Sequence, residues 1–205
     1  MNYIDPIHYL SQKDSKLGSI IQSIGTYSRK TNVNPFESLL QSIISQQLSG
    51  KAAKAIYIRF QNYYKNILPT PQQIISTPNE ILRVQIGLSY KKIEYIKELS
   101  CRVSNGKLDF DSLINNSDEE VIAELIKVKG IGRWTAEMFL IFCLKREDVI
   151  PLGDLGVRKA MQRLYNLPQL PDQPSTLAIS LPWRPYRSIA TWYLWKSIST
   201  VNSIG

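Results

Sequence analysis

The fold of this chain is decided by residues 117–144, which read SDEEVIAELIKVKGIGRWTAEMFLIFCL. Ser117, followed three residues later by Glu120, is a capping-box pattern, which predicts that a helix begins here. Apolar residues at helical spacing follow, so this helix buries one stripe. A short turn that contains Gly130 and Gly132 comes next, and a second, mostly apolar run follows it. The stretch therefore predicts two helices joined by a glycine hairpin, the second of them a core helix.

This hairpin is suited to hold a phosphate group. Two glycines can both take positive φ and leave their backbone N–H groups bare. These groups would lie beside the N-terminus of the second helix, whose dipole favours an anion. Lys127, Lys129 and Arg133 surround the turn with positive charge. A phosphate of the DNA backbone would fit here, and such a contact does not depend on the base sequence. The simpler alternative is a turn that only connects two helices.

The remainder of the chain also reads as helix, which predicts an all-α fold. Asn34 and Pro35 supply a helix cap and a first-turn proline. We see no strand alternation, internal repeat or low-complexity tract. Further helices are predicted from about Gly50 and over residues 90–103, 133–144, 155–165 and 186–199, with a linker at 168–174.

Composition narrows the class of protein. The 205 residues carry a formal net charge of +8, so nucleic acid is the expected partner, with a generic basic surface as the alternative. No apolar run approaches the roughly 18 residues that span a bilayer, and the first residues do not read as a signal peptide. We therefore expect a soluble, intracellular protein with no membrane partner. Two cysteines and one histidine cannot build a four-cysteine zinc or iron–sulfur site.

Asp154 lies 22 residues after Gly132, at the end of a Pro/Gly loop and at the start of a predicted helix. An aspartate in this position is ordinarily a helix N-cap. A capping carboxylate that stays ionised could also stabilise a cationic sugar, or orient an attacking water. Arg158 and Lys159, one turn further on, could hold the flanking phosphates.

Four segments in the same order resemble the helix–hairpin–helix–Gly/Pro–Asp (HhH-GPD) superfamily of DNA glycosylases. Within it, the alkylation-repair branch, 3-methyladenine DNA glycosylase II, is the most similar. The likeness spans roughly residues 34–199, and its segments are IISQQLSGKAA (43–53), LIKVKGIGRWTA (125–136), PLGDLGVRK (151–159) and WRPYRSIA (183–190) running on to Trp195.

The resemblance implies a compact, two-lobed, all-α fold with the active-site cleft between the lobes. One lobe would comprise about residues 34–145, and the other residues 1–33 plus 146–205. Asp154 falls at the catalytic aspartate, and Gly130 and Gly132 fall at the phosphate-binding amides. Side chains from Gln47 to Ser49, that is Gln47, Leu48 and Ser49, fall where the family plugs the gap left by a flipped base.

The resemblance also implies a base pocket and a cation site. Trp134, Met138 and Trp195 would line the pocket, although one relative has a tyrosine where Met138 stands. No cofactor is expected, but a structural Na⁺ or K⁺ could bind the carbonyls of Ile126, Val128 and Ile131.

The same comparison predicts the type of reaction. Trp134 stands where strand-cleaving members carry a Schiff-base lysine, so lyase activity is not expected. The chain would be a monomeric, monofunctional glycosylase for alkylated bases in duplex DNA, such as 3-methyladenine, 7-methylguanine and 1,N6-ethenoadenine. Two alternatives stay open: a glycosylase for deaminated bases such as hypoxanthine or uracil, and a non-catalytic protein that only binds DNA.

Overall fold

The computed structural model describes residues 5–28 and 34–201. Within these ranges the chain is helical and contains no β-strand, which confirms the predicted all-α class. The α-helices are α1 (Pro6–Lys13), α2 (Ser15–Ile24), α3 (Pro35–Ser45), α4 (Gly50–Tyr63), α5 (Pro71–Ser76), α6 (Tyr90–Ser104), α7 (Phe110–Leu113), α8 (Asp118–Leu125), α9 (Arg133–Phe142), α10 (Leu155–Tyr165), α11 (Gln173–Ser180) and α12 (Arg187–Val201). A π-helix covers Ile81–Ile86, and a 3₁₀ turn covers Leu181–Trp183.

The helix starts are confirmed where a cap was predicted. The Asn34 side chain accepts the N–H of Glu37 at the start of α3. At the start of α8, Ser117 and Glu120 form both hydrogen bonds of the capping box. Each such bond satisfies a backbone N–H that has no partner within the helix.

Several helix boundaries differ from the prediction by one or two residues, and two differences have a physical reason that the structure shows. Helix α9 ends at Phe142, before the predicted residue 144, because the chain leaves the helix through Lys145 at φ 57°. The N–H of Arg146 then bonds to the carbonyl of Leu140. Such an ending normally uses glycine, so a lysine there gave no signal. Helix α11 begins at Gln173, inside the predicted linker, where Asp172 caps it.

The chain divides into two compact units, Asn32–Phe139 and Met1–Thr31 with Leu140–Gly205. In the second of these, a hydrophobic core forms between helices from the two ends of the sequence: Leu10, Leu17, Ile21, Ile150, Val157, Ala160, Met161, Trp183, Ile189, Ala190, Tyr193 and Leu194. Trp183 and Tyr193, two of the aromatic side chains in the family-like C-terminal segment, are therefore core residues.

In the unit Asn32–Phe139, the buried apolar side chains come mainly from α3, α6, α8 and α9. They include Leu39, Leu40, Ile43, Ile44, Ile93, Ile96, Leu99, Val121, Leu125, Val128, Ile131 and Phe139. Val128 and Ile131 belong to the loop between α8 and α9, so burial anchors that loop from both sides. In the part of the chain that the structure describes, no helix is long and apolar enough to cross a membrane.

Candidate active site

The hairpin, residues 126–132, connects α8 to α9 and depends on Gly130. This residue has φ +85°, and a Cβ added to it would lie 2.2 Å from Cδ2 of Tyr95. Both facts require glycine, since other residues rarely adopt this φ and the ring leaves no room. The prediction that both glycines take positive φ is wrong for Gly132, whose φ lies outside the left-handed region. Its carbonyl instead accepts the N–H of Ala136, the first hydrogen bond of α9.

The first N–H groups of α9 follow Gly132 directly, and Gly132 is exposed. The leading N–H groups of an α-helix have no partner in the helix itself, and the helix dipole adds positive potential there. An anion can therefore approach the start of α9 closely, and a glycine at its entrance keeps the approach open. This geometry suits a phosphate even though only Gly130 has a positive φ.

The predicted cations lie around the hairpin, but each is paired with a carboxylate. Lys127 Nζ lies 2.5 Å from Glu124, and Lys129 Nζ lies 2.8 Å from Glu94. Arg133 lies 2.5 Å from Glu119 and 3.2 Å from the buried Glu137. The bond to Glu94 raises the pKa of Lys129, and the bond to Arg133 lowers the pKa of Glu119.

The carbonyls of Ile126, Val128 and Ile131 were predicted to hold a monovalent cation. The Val128 carbonyl accepts the N–H of Ile131 at 3.0 Å, which closes the hairpin turn. A carbonyl oxygen has a second lone pair, so this turn does not prevent coordination. The described residues contain no cluster of His, Cys, Asp or Glu that could hold a metal ion.

The wedge loop, residues 46–49, connects α3 to α4. Gln47 has φ 54°, which is rare for a residue with a side chain. Leu48 is 37% exposed, an apolar side chain at the surface. Ser49 caps α4, with its hydroxyl accepting the N–H of Ala52. Of the three predicted wedge residues, Ser49 therefore has a structural role as the N-cap of α4.

A cavity of about 780 Å³ lies between the wedge loop and the hairpin. Gln46 and Gln47 line it on one side, and Gly130 and Gly132 line it on the other. Trp134 and Met138, two of the predicted pocket residues, line the same cavity from α9, and Trp134 is 51% exposed. The structure therefore brings together predicted site residues from two separate stretches of the sequence.

Asp154 caps α10, as its position after a Pro/Gly loop predicts. Its Oδ1 accepts the N–H of Val157 at 2.7 Å and the indole Nε1–H of Trp195 at 3.0 Å. The residue is only 8% exposed. A carboxylate fixed by a backbone donor and a side-chain donor has a defined orientation, which a charge-stabilising role requires.

Two residues that the sequence did not single out complete this arrangement. The Phe142 ring stacks on Trp195, with centroids 5.7 Å apart and planes at 22°. A Cβ added to Gly156 would lie 3.1 Å from Asp154 Oδ1 and 3.2 Å from Cδ1 of Trp195. In the sequence, Gly156 is marked only by its place two residues after Asp154 in the segment that resembles the family. The residue must be small because of Trp195, which lies 39 positions later in the chain.

Arg158 and Lys159 have different surroundings. Arg158 is half-buried, and its Nε donates to the carbonyl of Pro171 at 2.6 Å, which ties α10 to the segment before α11. Lys159 is exposed on α10 and lies beside Arg163 in a shallow pocket. Arg158, which was predicted to bind phosphate together with Lys159, therefore also stabilises the fold through this hydrogen bond.

The all-helical fold, the glycine hairpin and the capped aspartate together define a helix–hairpin–helix protein of the Gly/Pro–Asp type. The family model of the HhH-GPD superfamily of base excision DNA repair proteins matches residues 40–185. The chain belongs to this superfamily.

Within this superfamily, the chain is similar to 3-methyladenine DNA glycosylases in three comparisons. DNA-3-methyladenine glycosylase 1 of Schizosaccharomyces pombe is 37% identical over 194 residues, which cover 92% of this chain and 85% of that protein. The structure of a 3-methyladenine DNA glycosylase from the same yeast, in complex with abasic DNA, matches with a TM-score of 0.85 at 36% identity, covering 95% of this chain and 96% of that one. The crystal structure of a DNA-3-methyladenine glycosidase from Bacillus halodurans matches with a TM-score of 0.85 at 39% identity, covering 98% and 92%.

Proposed function

We propose that this protein is a monofunctional DNA glycosylase that flips alkylated bases, such as 3-methyladenine, 7-methylguanine and 1,N6-ethenoadenine, out of duplex DNA and releases them. The observation that carries the proposal is the buried carboxylate of Asp154, fixed by Val157 and Trp195 within a family of base excision repair proteins. The names of the relatives support the alkylated base as substrate. The site of action is wherever the cell holds its DNA, the cytoplasm of a prokaryote or a nucleus.

The reaction breaks the N-glycosidic bond between C1′ of the sugar and the base, and forms a bond between C1′ and the oxygen of a water molecule. The bond breaks so that its electron pair leaves with the base, and a positive charge develops on the sugar. The Asp154 carboxylate stabilises this charge and orients a water molecule. The oxygen of this water bonds to C1′, and one of its protons passes to the solvent. 3-Methyladenine and 7-methylguanine are already cationic in DNA and leave readily. For these bases the site needs no strong general acid, which suits a chain with one histidine, near its N-terminus.

The DNA backbone would be held at the hairpin. The amides at Gly130 and Gly132 and the first turn of α9 bind a phosphate, and Lys127, Lys129 and Arg133 exchange their carboxylate partners for it. Exposed ion pairs stabilise a protein by about 0–1 kcal/mol, so exchange of the exposed partners Glu124, Glu94 and Glu119 costs little. Arg133 keeps its bond to the buried Glu137, whose charge would otherwise be left unpaired. Lys159 would contact a further phosphate together with Arg158, and a Na⁺ or K⁺ on the carbonyls of Ile126, Val128 and Ile131 would add positive charge.

Base flipping costs a few kcal/mol, and a residue that fills the gap offsets part of it. Leu48 is the best suited of the wedge residues because it is apolar and exposed. Gln47 would contact the bases beside it, while the hydroxyl of Ser49 stays on the helix. Trp134 and Met138 are proposed to contact the extruded base, as is the ring of Trp195, since aromatic faces attract an electron-poor base.

Lyase activity is not expected, because Trp134 stands where the strand-cleaving members have their amine nucleophile. The protein would act as a monomer on one lesion.

The test is base release from alkylated duplex DNA, with products read before and after alkali. Asp154→Asn keeps a good N-cap, so its fold should be retained, and release should fall about a hundredfold or more while DNA binding persists. Asp172→Asn is the matched control, since Asp172 caps α11 in the same way. Alkali should be needed to break the strand.

Each alternative has its own outcome. Release of hypoxanthine or uracil, with methylated DNA left intact, would assign the site to deaminated bases. Salt-dependent binding without release of any of these bases would leave a DNA-binding protein in which Asp154 is only a helix cap.

A further inference from the structure

The wedge loop is attached to the hairpin by one direct hydrogen bond. Gln46, the first residue of the loop, donates from Nε2 to the carbonyl of Gly130 at 2.6 Å. The two residues are 84 positions apart in sequence, and the Gln46 side chain is half-buried. A second bond holds the preceding turn of α3, where Lys92 Nζ donates to the carbonyl of Ile44 at 2.7 Å.

The acceptor of the Gln46 bond cannot easily move. Gly130 is fixed by its φ of +85° and by the Tyr95 ring against its Cα. The same peptide belongs to the turn that presents the amides at the start of α9. The position of the Gln46 amide is thus set by the part of the hairpin that is proposed to bind phosphate.

The loop itself is held in an unfavourable backbone conformation. Gln47 at φ 54° lies in the left-handed region, which is unfavourable for a residue that carries a Cβ. Such a residue persists only where its surroundings fix it. The surroundings here are the Gln46 bond on one side and the Ser49 cap of α4 on the other.

We propose that Gln46 is a positioning residue that couples the wedge loop to the hairpin. The hairpin that would bind the phosphate holds the Gly130 carbonyl rigidly, the carbonyl fixes Gln46, and Gln46 places Gln47 and Leu48 where they fill the stack. Binding of the DNA backbone at the hairpin and insertion of the wedge into the stack are then energetically coupled. This coupling strengthens binding to a damaged site, where a gap can be filled, more than binding to an intact duplex. This inference rests on the proposed function, because it requires that the wedge loop inserts into DNA from which a base has been flipped.

The experiment compares Gln46→Ala and Gln46→Glu with the wild-type protein. Alanine removes the donor, whereas glutamate keeps the size and turns an acceptor toward the Gly130 carbonyl. Gln72→Glu, on the exposed face of α5, is the control for the added negative charge. The readouts are the dissociation constants for an intact duplex and for a duplex carrying a tetrahydrofuran abasic analogue, the single-turnover rate of base release at saturating enzyme, and the melting temperature.

We expect both Gln46 variants to lose about tenfold in preference for the abasic-analogue duplex over the intact one. The single-turnover rate should fall by a similar factor, while affinity for intact DNA changes less than twofold in Gln46→Ala. Gln72→Glu should keep the wild-type preference and rate. A merely structural role would lower the melting temperature or weaken both duplexes equally.

An unchanged preference in Gln46→Ala would overturn the proposal, and so would a loss confined to Gln46→Glu, which would then reflect charge alone. If the wild-type protein released no base but Gln46→Ala still lost the preference, the coupling would stand and the proposed reaction would be wrong.

Discussion

At the scale of single residues, the candidate site is a carboxylate whose orientation depends on one indole. Trp195 was expected to act through its ring, and the structure gives it a second function as a donor to Asp154 Oδ1 at 3.0 Å. Phe142 keeps the indole in plane for that bond. The nitrogen and the ring of Trp195 can therefore be separated by substitution.

Trp195→Phe removes the donor but keeps an aromatic ring against Phe142. A hydrogen bond to a charged group contributes about 1.5–3 kcal/mol, so we expect base release to fall by about tenfold or more, with little change in substrate affinity. Trp192→Phe makes the same change three residues earlier in α12, where the ring contacts Tyr27 and Tyr193. Single-turnover kinetics of the two variants should differ; equal rates would show that the indole N–H is dispensable.

Gly156→Ala tests the tight packing beside the same carboxylate. The added methyl would lie 3.1 Å from Asp154 Oδ1, so the carboxylate or the indole must shift by a few tenths of an ångström. A shift of that kind in a pre-organised site lowers the rate, whereas alanine in a helix is favoured over glycine by up to about 1 kcal/mol. We expect slower base release without a loss in melting temperature. Gly153→Ala, where the nearest atom is 3.9 Å away, should leave both unchanged.

At the scale of helices and loops, the hairpin has two glycines with different tasks. Gly130 carries the positive φ and the contact with Tyr95, while Gly132 opens the start of α9. Gly130→Ala should therefore destabilise the protein and weaken DNA binding, because the backbone strain and the clash with the ring add. Gly106→Ala, at φ +71° with nothing within 4 Å, isolates the strain. Thermal melting should show the larger loss for Gly130→Ala, and similar losses would mean that the Tyr95 ring moves aside.

The carboxylates around the hairpin would oppose the DNA binding that is proposed there. Glu94 holds Lys129, so a phosphate must compete with it. Glu94→Gln should free this lysine, tighten binding to intact duplex a few-fold and steepen its salt dependence. Glu80→Gln removes the same charge from an exposed residue at the start of the π-helix and measures the general effect of charge. Titrations at several salt concentrations would contradict this prediction if the two variants behaved alike.

The local part of this architecture could be predicted from the sequence. Caps at Asn34, Ser117 and Asp154 depend on residues a few positions away, and each was found as predicted. The contacts that decide the geometry are distant in sequence: Gln46 with Gly130, and Asp154 with Trp195. No local pattern encodes such pairs, and for the same reason the ion pair of Lys129 with Glu94 was not foreseen.

At the scale of the whole chain, the unit that carries Asp154 is assembled from both ends of the sequence. Asp14, the cap of α2, accepts the backbone N–H of Leu17, the indole N–H of Trp183 at 2.9 Å and the hydroxyl of Tyr165. One side chain near the N-terminus thus joins three helical segments. The stability of this unit should depend on the charge of that side chain.

Burial raises the pKa of Asp14, but the bonds from Leu17, Tyr165 and Trp183 outweigh burial, and the net result is a pKa below the ordinary value of 3.8. A carboxyl group whose pKa is lower in the folded state contributes stability above its unfolded pKa, and this contribution disappears as the pH falls through the folded pKa. Asp14→Asn should therefore cost about 2 kcal/mol at neutral pH, where its amide faces two donors. The difference in free energy of unfolding between the two proteins should shrink only below about pH 4. Asp172→Asn, at an exposed cap on α11, provides the comparison. Urea unfolding across this pH range would refute the assignment if the Asp14→Asn protein were as stable as the wild type at pH 7, or if the gap were still constant well below pH 3.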